Sequence, residues 1–162
     1  MSEETPNPPS LRIGHVHLRV SDLSRSVAFY QTVIGLELQQ IYGDRAAFLS
    51  SDGYHHHLGL NTWHSLGGSP APKRHPGLYH TAFLYPDRAA LGVALKRALD
   101  AGVVLEGAAD HGVSQAVYFS DPDENGIELY WDRDPKDWPR DGDGVLEMVN
   151  DRLDLDALLA LA

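Results

Sequence analysis

The sequence predicts an α+β fold built from two tandem β-α-β-β-β modules. Three observations predict it. A pattern occurs twice: His15-Val-His-Leu-Arg-Val-Ser-Asp22 and His80-Thr-Ala-Phe-Leu-Tyr-Pro-Asp87 each carry a histidine, a strand-like run and an aspartate seven places on. Each copy is followed by one helical segment and three short strand-like segments. Between the halves, residues 65–76 are rich in Gly and Pro and read as a connecting loop.

In the first module, residues 11–20 read as a strand. From His15 the alternation is clean: Val16, Leu18 and Val20 share one face, and His15, His17 and Arg19 share the other. Asp22 is placed to cap a helix. Leu23, Val27, Tyr30 and Ile34 fall at helical spacing, and Gly35 is placed to end it. Residues 36–40, 45–49 and 56–61 then read as strands, separated by Gly43-Asp44 and Asp52-Gly53 turns.

The second module repeats the order. Residues 78–85 form a strand, Asp87 caps a helix, Leu91, Leu95, Ala98 and Leu99 make its apolar stripe, and Gly102 stops it. Strands follow over 103–105, 115–119 and 126–131. Beyond Trp131 the composition shifts to Asp, Pro, Arg and Gly, which predicts a surface linker over 132–144. Residues 151–162 read as a short amphipathic helix with Leu155, Leu158, Leu159 and Ala162 on one face. It would dock on the domain or on a partner subunit. The expected organisation is a disordered lead over 1–10, a domain over 11–131 with modules 11–62 and 77–131, and the linker and helix over 132–162.

Composition narrows the function. The chain has 162 residues, is 43% hydrophobic and carries a formal net charge of −10, a balance that argues against nucleic acid as a partner. No apolar run is long enough to span a membrane, and the first ten residues lack the basic and apolar regions of a signal peptide. With no cysteine, thiolate nucleophiles and thiolate metal sites are excluded, and any metal must use nitrogen and oxygen ligands. The default location is the cytoplasm.

A chain that duplicates a strand and helix while keeping a histidine at the same point builds one site from two halves. A carboxylate joins them: Glu128 sits in the late strand Asn125-Gly-Ile-Glu-Leu-Tyr-Trp131. His15, His80 and Glu128, on three separate strands, suggest a metal centre. Two histidines and one carboxylate are the face expected of a non-haem Fe(II) oxygenase, since adjacent positions stay open for substrate and oxygen. Mn(II) or another divalent metal could replace iron in such a nitrogen and oxygen site.

These residues resemble the vicinal oxygen chelate superfamily, which includes glyoxalase I, extradiol ring-cleavage dioxygenases and the fosfomycin and bleomycin resistance proteins. The resemblance spans residues 11–131. It implies that the two modules form a cupped, barrel-like sheet around a metal; the short C-terminal helix read from the sequence lies beyond it. Within the superfamily the chain looks most like extradiol dioxygenases of the catechol 2,3-dioxygenase type. Four stretches carry this: Gly14-His15, His55-His56-His57-Leu-Gly59, Leu78-Tyr-His80, and Asp110-His111-Gly-Val-Ser-Gln-Ala-Val-Tyr118 leading to Glu128. The resemblance implies His15, His80 and Glu128 as metal ligands and His56 as the acid/base histidine. It further implies His111 as the histidine that hydrogen-bonds substrate or oxygen, and Tyr118 as a tyrosine that supports the centre. The implied reaction is ring cleavage of an aromatic vicinal diol by O2, for which a base must take a hydroxyl proton.

Several alternatives stay open. Strand alternation sends His56 one way and its neighbours the other, and a slip of one residue would select His55 or His57. Tyr118 also reads as an ordinary core aromatic. His17 reads as a pocket wall, His64 and His75 as surface residues, and Trp63, Trp131 and Trp138 as packing or pocket-lining residues. A glyoxalase-like isomerase or lyase is the enzyme rival, but such sites usually place another carboxylate, completing four protein ligands, where this chain has His57-Leu-Gly-Leu-Asn61. A metal-free small-molecule-binding resistance protein is the other rival, and it would not need the His15, His80 and Glu128 set. The acidic balance gives no steering for an anionic substrate. A homodimer is also consistent with the resemblance.

Overall fold

A computed structural model describes residues 11–162. The expected lead over residues 1–10 lies outside the described residues. Two four-stranded mixed sheets carry the fold. The first contains β1 (Val16–Arg19), β2 (Glu37–Tyr42), β3 (Ala46–Ser50) and β4 (Leu58–Asn61), in the order β1-β4-β3-β2. The second contains β5 (His80–Leu84), β6 (Gly107–Asp110), β7 (Ser114–Ser120) and β8 (Gly126–Asp132), in the matching order β5-β8-β7-β6. In each module the first strand pairs in parallel with the last, and the other pairings are antiparallel. The duplicated β-α-β-β-β pattern is therefore present in both halves.

The faces of β1 follow the alternation: Leu18 and Val20 are buried, while His15, His17 and Arg19 are exposed. The strand is shorter than expected. Leu11 to His15 form no regular element, and Leu11 and Ile13 are exposed, so no packed face holds them in a strand.

α1 (Leu23–Phe29) begins at Asp22, whose carboxylate accepts from the Arg25 N–H. It continues as a π-helical turn over Tyr30–Ile34. That turn buries the Tyr30 ring fully, and its hydroxyl donates to Asp121 of the second module at 2.9 Å. Gly35, at φ 87°, ends the segment in a left-handed conformation that favours glycine.

α2 (Arg88–Asp100) has the equivalent cap at Asp87. Its buried face is Leu91, Ala94, Leu95 and Ala98, while Leu99 turns partly to solvent. Arg97 reaches from α2 to the carbonyls of Val33 and Ile34, capping the end of the π turn. Ser21, after β1, and Arg25 both bond the Asp123 carboxylate in the β7–β8 loop. Residues of both modules share one apolar core.

Three further segments differ from the sequence expectation. Residues 103–105 are not a strand; the edge strand β6 starts at Gly107. His55, His56 and His57 precede β4 rather than starting it, so strand alternation does not set their directions. Residues 132–144 do more than link. A 3₁₀ turn over Pro135–Asp137 is followed by Trp138, whose indole N–H donates to the Arg133 carbonyl at 2.8 Å. The chain then runs back beside β6, with Asp151 bridging Asp110. The final helix α3 (Leu155–Leu159) docks on α2 of the same chain and buries Leu158 beside Gly92.

Candidate metal centre and its supporting histidines

The candidate side chains form two groups, one in each module. In the second module, β5 and β8 pair in parallel with His80 opposite Gly126, which brings His80 beside Glu128. The His80 Nε2 lies 2.9 Å from Glu128 Oε2, and the carboxylate is largely shielded from solvent. Gly126 makes this approach possible, because a Cβ there would stand 2.1 Å from the Tyr79 carbonyl oxygen.

Glu128 is oriented from its other side. β7 sets Tyr118 directly opposite Glu128, and the phenol donates to Oε1 at 3.1 Å. Burial raises the Tyr118 pKa well above its ordinary value, and the Glu128 charge, the bond to Glu128 and the neighbouring Tyr79 raise it further. The phenol therefore stays protonated as a donor throughout the neutral range. His111 Nε2 lies 2.7 Å from the same phenol oxygen. His80, Glu128, Tyr118 and His111 thus form one continuous polar chain.

The base of that chain is stiffened by Asp110, the last residue of β6. Its carboxylate accepts from the Gly112 N–H at 2.9 Å and from Gln115 at 2.8 Å, and it pairs with Arg133. Burial alone would push the Asp110 carboxyl up, but the bonds from Gln115, Gly112 and Arg133 outweigh it and hold the pKa below the ordinary value.

The first module supplies an imidazole cluster. The His15 and His56 rings pack at a tilt with centroids 4.4 Å apart, and His56 packs against Phe48 at 4.9 Å. His55 Nδ1 lies 2.7 Å from His56 Nδ1, a distance at which one nitrogen must donate and the other accept. Burial lowers the His56 pKa, and the charges of His15, His55, His17 and His57 add to the effect. His57 turns away to Ser50 and Tyr54. Of the three adjacent histidines, His56 is the one in contact with His15. His17 lies over Gly59, where a Cβ would meet its ring at 2.9 Å, and packs near Trp63 and Phe48. The uncharged fourth strand therefore has a local reason: Gly59 leaves room for an imidazole. His64 and His75 are exposed, as expected of surface residues.

Two ligands at right angles around an ion about 2.1 Å away stand about 3.0 Å apart. The His80–Glu128 separation of 2.9 Å matches that spacing, and both atoms are suitable donors. His15 is held with His56 instead, and among the described residues no three His, Cys, Asp or Glu side chains converge closely enough to hold an ion. The pair fits two positions of a metal centre. Sequence reasoning missed one participant, the Val149 carbonyl, which lies 3.0 Å from His111 Nδ1. A backbone acceptor leaves no signal in residue type.

A profile of the Glyoxalase/Bleomycin resistance protein/Dioxygenase superfamily matches residues 12–129. The chain belongs to this superfamily. The fold agrees with a crystal structure of a glyoxalase/dioxygenase from Nostoc punctiforme. That structure matches with a TM-score of 0.65 at 23% identity, covering 82% of this chain and 100% of the other. Among superfamily members, a catechol-2,3-dioxygenase of Bacillus subtilis (strain 168) is 42% identical over 148 residues, covering 91% of this chain and 50% of the relative. Biphenyl-2,3-diol 1,2-dioxygenase 3 of Rhodococcus globerulus is 32% identical over 125 residues, covering 75% of this chain and 63% of the relative. The chain therefore spans between half and two thirds of the length of these curated relatives. No helix among the described residues is long and apolar enough to cross a membrane.

Proposed function

We propose that this superfamily member is an extradiol-type dioxygenase that cleaves the ring of a catechol-like vicinal diol with O2. The observation that carries the reading is the His80–Glu128 pair braced by Tyr118 and His111. The names of its dioxygenase relatives point the same way. His80 and Glu128 would hold the metal, with His15 from the first module as third ligand. Fe(II) is the expected metal, with Mn(II) as the substitute. When bound, it supplies a centre that the two diol oxygens and O2 can share.

The chain's own residues then have separable tasks. Tyr118 keeps Glu128 pointed at the metal position, as an outer partner does for a ligating carboxylate. His56, beside His15, takes the hydroxyl proton of the diol and returns it as the ring opens. His111 Nε2 offers a hydrogen bond at the inner end of the polar chain. The absence of a carboxylate on β4 favours this reading over a glyoxalase-like isomerase or lyase, because it leaves a three-ligand site more open for substrate. The proposed organisation is one domain over 11–131, with modules 11–62 and 77–131, followed by an appended segment over 132–162. A cytoplasmic homodimer without nucleic-acid or membrane partners is its expected state.

The test is oxygen consumption. Protein loaded anaerobically with Fe(II) is mixed with a panel of catechols, and turnover is started by adding O2. The expected result is oxygen uptake coupled to the yellow absorbance of a ring-opened semialdehyde, with His80→Ala losing both metal and activity. Full metal occupancy in His80→Ala would overturn the ligand assignment. A metal-loaded protein that takes up no oxygen with any diol would overturn ring cleavage and leave the isomerase rival. A protein that binds no metal at all would leave the resistance-protein rival.

A further inference from the structure

The chain beyond the superfamily match touches the polar chain of the site at one point. Residues 139–151 run back beside β6 as a strap. Asp151 and Asp110 exchange two backbone hydrogen bonds, each 2.9 Å, and the Glu147 N–H bonds the Pro139 carbonyl at 2.9 Å. Val149 grips His111 twice. Its N–H donates to the His111 carbonyl at 3.0 Å, and its own carbonyl oxygen lies 3.0 Å from His111 Nδ1.

The turn beneath the strap is shaped to receive it. Gly112 has φ 76°, and a Cβ there would stand 2.7 Å from Pro139 Cγ and 3.2 Å from Val149 Cγ2. The same turn is locked to Asp110 through the Gly112 N–H.

We propose that this strap is a positioning element of the site: the Val149 carbonyl holds the His111 ring with a proton on Nδ1 and so presents Nε2 to Tyr118 and to substrate. A carbonyl oxygen only accepts, so the ring nitrogen facing it must carry hydrogen. Nε2 is then the ring atom left to meet the Tyr118 phenol, 2.7 Å away, and because the phenol's one hydrogen goes to Glu128, Nε2 meets it as a donor. Without the strap, Nδ1 would face water, and the only fixed ring proton would be the one that Nε2 gives to the phenol oxygen. Val149 acts through His111 and is a positioning residue, not a catalytic one. The inference rests on the reading of His111 and Tyr118 as parts of the site.

The experiment reads the ring nitrogens directly. Long-range proton–nitrogen correlation spectra of the full chain are recorded, with the His111 signals assigned by comparison with His111→Asn. A protonated Nδ1 in the wild-type chain is the expected result, whatever charge the ring carries; an unprotonated Nδ1 overturns the inference without any variant. Asp151→Pro removes one of the two bonds that pin the strap to Asp110. It should lose the protonated Nδ1 signature and lower kcat on a catechol by about 10- to 100-fold, with KM little changed. A variant whose Val149 amide exchanges freely, yet which keeps both the signature and kcat, would also overturn it. The signature is read without turnover. A chain with protonated Nδ1 that cleaves no catechol therefore supports the strap's role and defeats only the proposed reaction.

Discussion

Gly126→Ala tests whether close approach of β5 and β8 builds the His80–Glu128 pair. The new Cβ would begin 2.1 Å from the Tyr79 carbonyl oxygen, and 3.1 Å and 3.2 Å from the Cβ and Cα of His80. Backbone oxygen cannot swing aside as a flexible side chain can. A carbon–oxygen contact relaxes at about 3.3 Å, so the strands must part by about 1.2 Å at this position. Taken along the line of the pair, that displacement stretches the 2.9 Å separation of His80 and Glu128 to about 4 Å. The two donors would then no longer match one ion. Overpacking of this kind costs about 1–3 kcal/mol, which in a domain of this size lowers Tm by about 2–12 °C. Loss of ligand orientation should weaken metal affinity by about 10- to 100-fold. Thermal unfolding and Mn(II) titration calorimetry on the two proteins measure both effects. Unchanged Tm and unchanged Mn(II) affinity would refute the claim that Gly126 sets the pair.

Three further outcomes follow from the same geometry. Tyr118→Phe removes the donor to Glu128 and the partner of His111, so kcat for the proposed reaction should fall about 10- to 100-fold while Tm moves little, as steady-state kinetics and calorimetry would show. Gly92→Ala would place a Cβ 2.5 Å from the Leu158 carbonyl oxygen, so α3 should lift from α2, Tm should drop, and limited proteolysis should cut after residue 150 first. Asp123 joins the modules through Ser21 and Arg25. Burial pushes its carboxyl up, but the bonds from Ser21 and the charge and bond of Arg25 outweigh this and hold its pKa below the ordinary carboxylate value. A depressed folded-state pKa gives stability that is present above the unfolded value and is lost as pH falls through the folded one. Asp123→Asn should therefore lower Tm at neutral pH and narrow its gap to wild type below about pH 4, measured by thermal melts across pH.

Local rules made much of the fold legible in the sequence. Asp22 and Asp87 cap their helices, Gly35 and Gly102 sit at positive φ just beyond them, and the faces of β1 alternate as written. Each of these depends on neighbours within a few residues. The segments that escaped depend on distant partners. The π turn at Tyr30 serves a hydrogen bond to Asp121, and the strap is held by backbone bonds to β6 that leave no periodic pattern of apolar residues. His55 to His57 resemble a strand start in composition, yet their rings pack on one another and on His15, Phe48 and Tyr54 before the strand begins. Within the candidate site, the duplicated histidines and Glu128 stand out in sequence. The contact between His80, Glu128, Tyr118 and His111 could only come from sheet register.

The pairing of each module's first strand with its last has a consequence for synthesis. Val16 meets Leu58, and His80 meets Gly126, so about 40 residues must be made after each opening strand before its partner exists. At ribosomal speeds of about 5–20 residues per second, that wait lasts about 2–8 s for each module. During it, Leu18 and Val20 in one half, and Thr81 in the other, have no sheet to enter. The nascent chain should thus emerge in two steps, each ending when a closing strand arrives, and β1 and β5 are where a chaperone would find it.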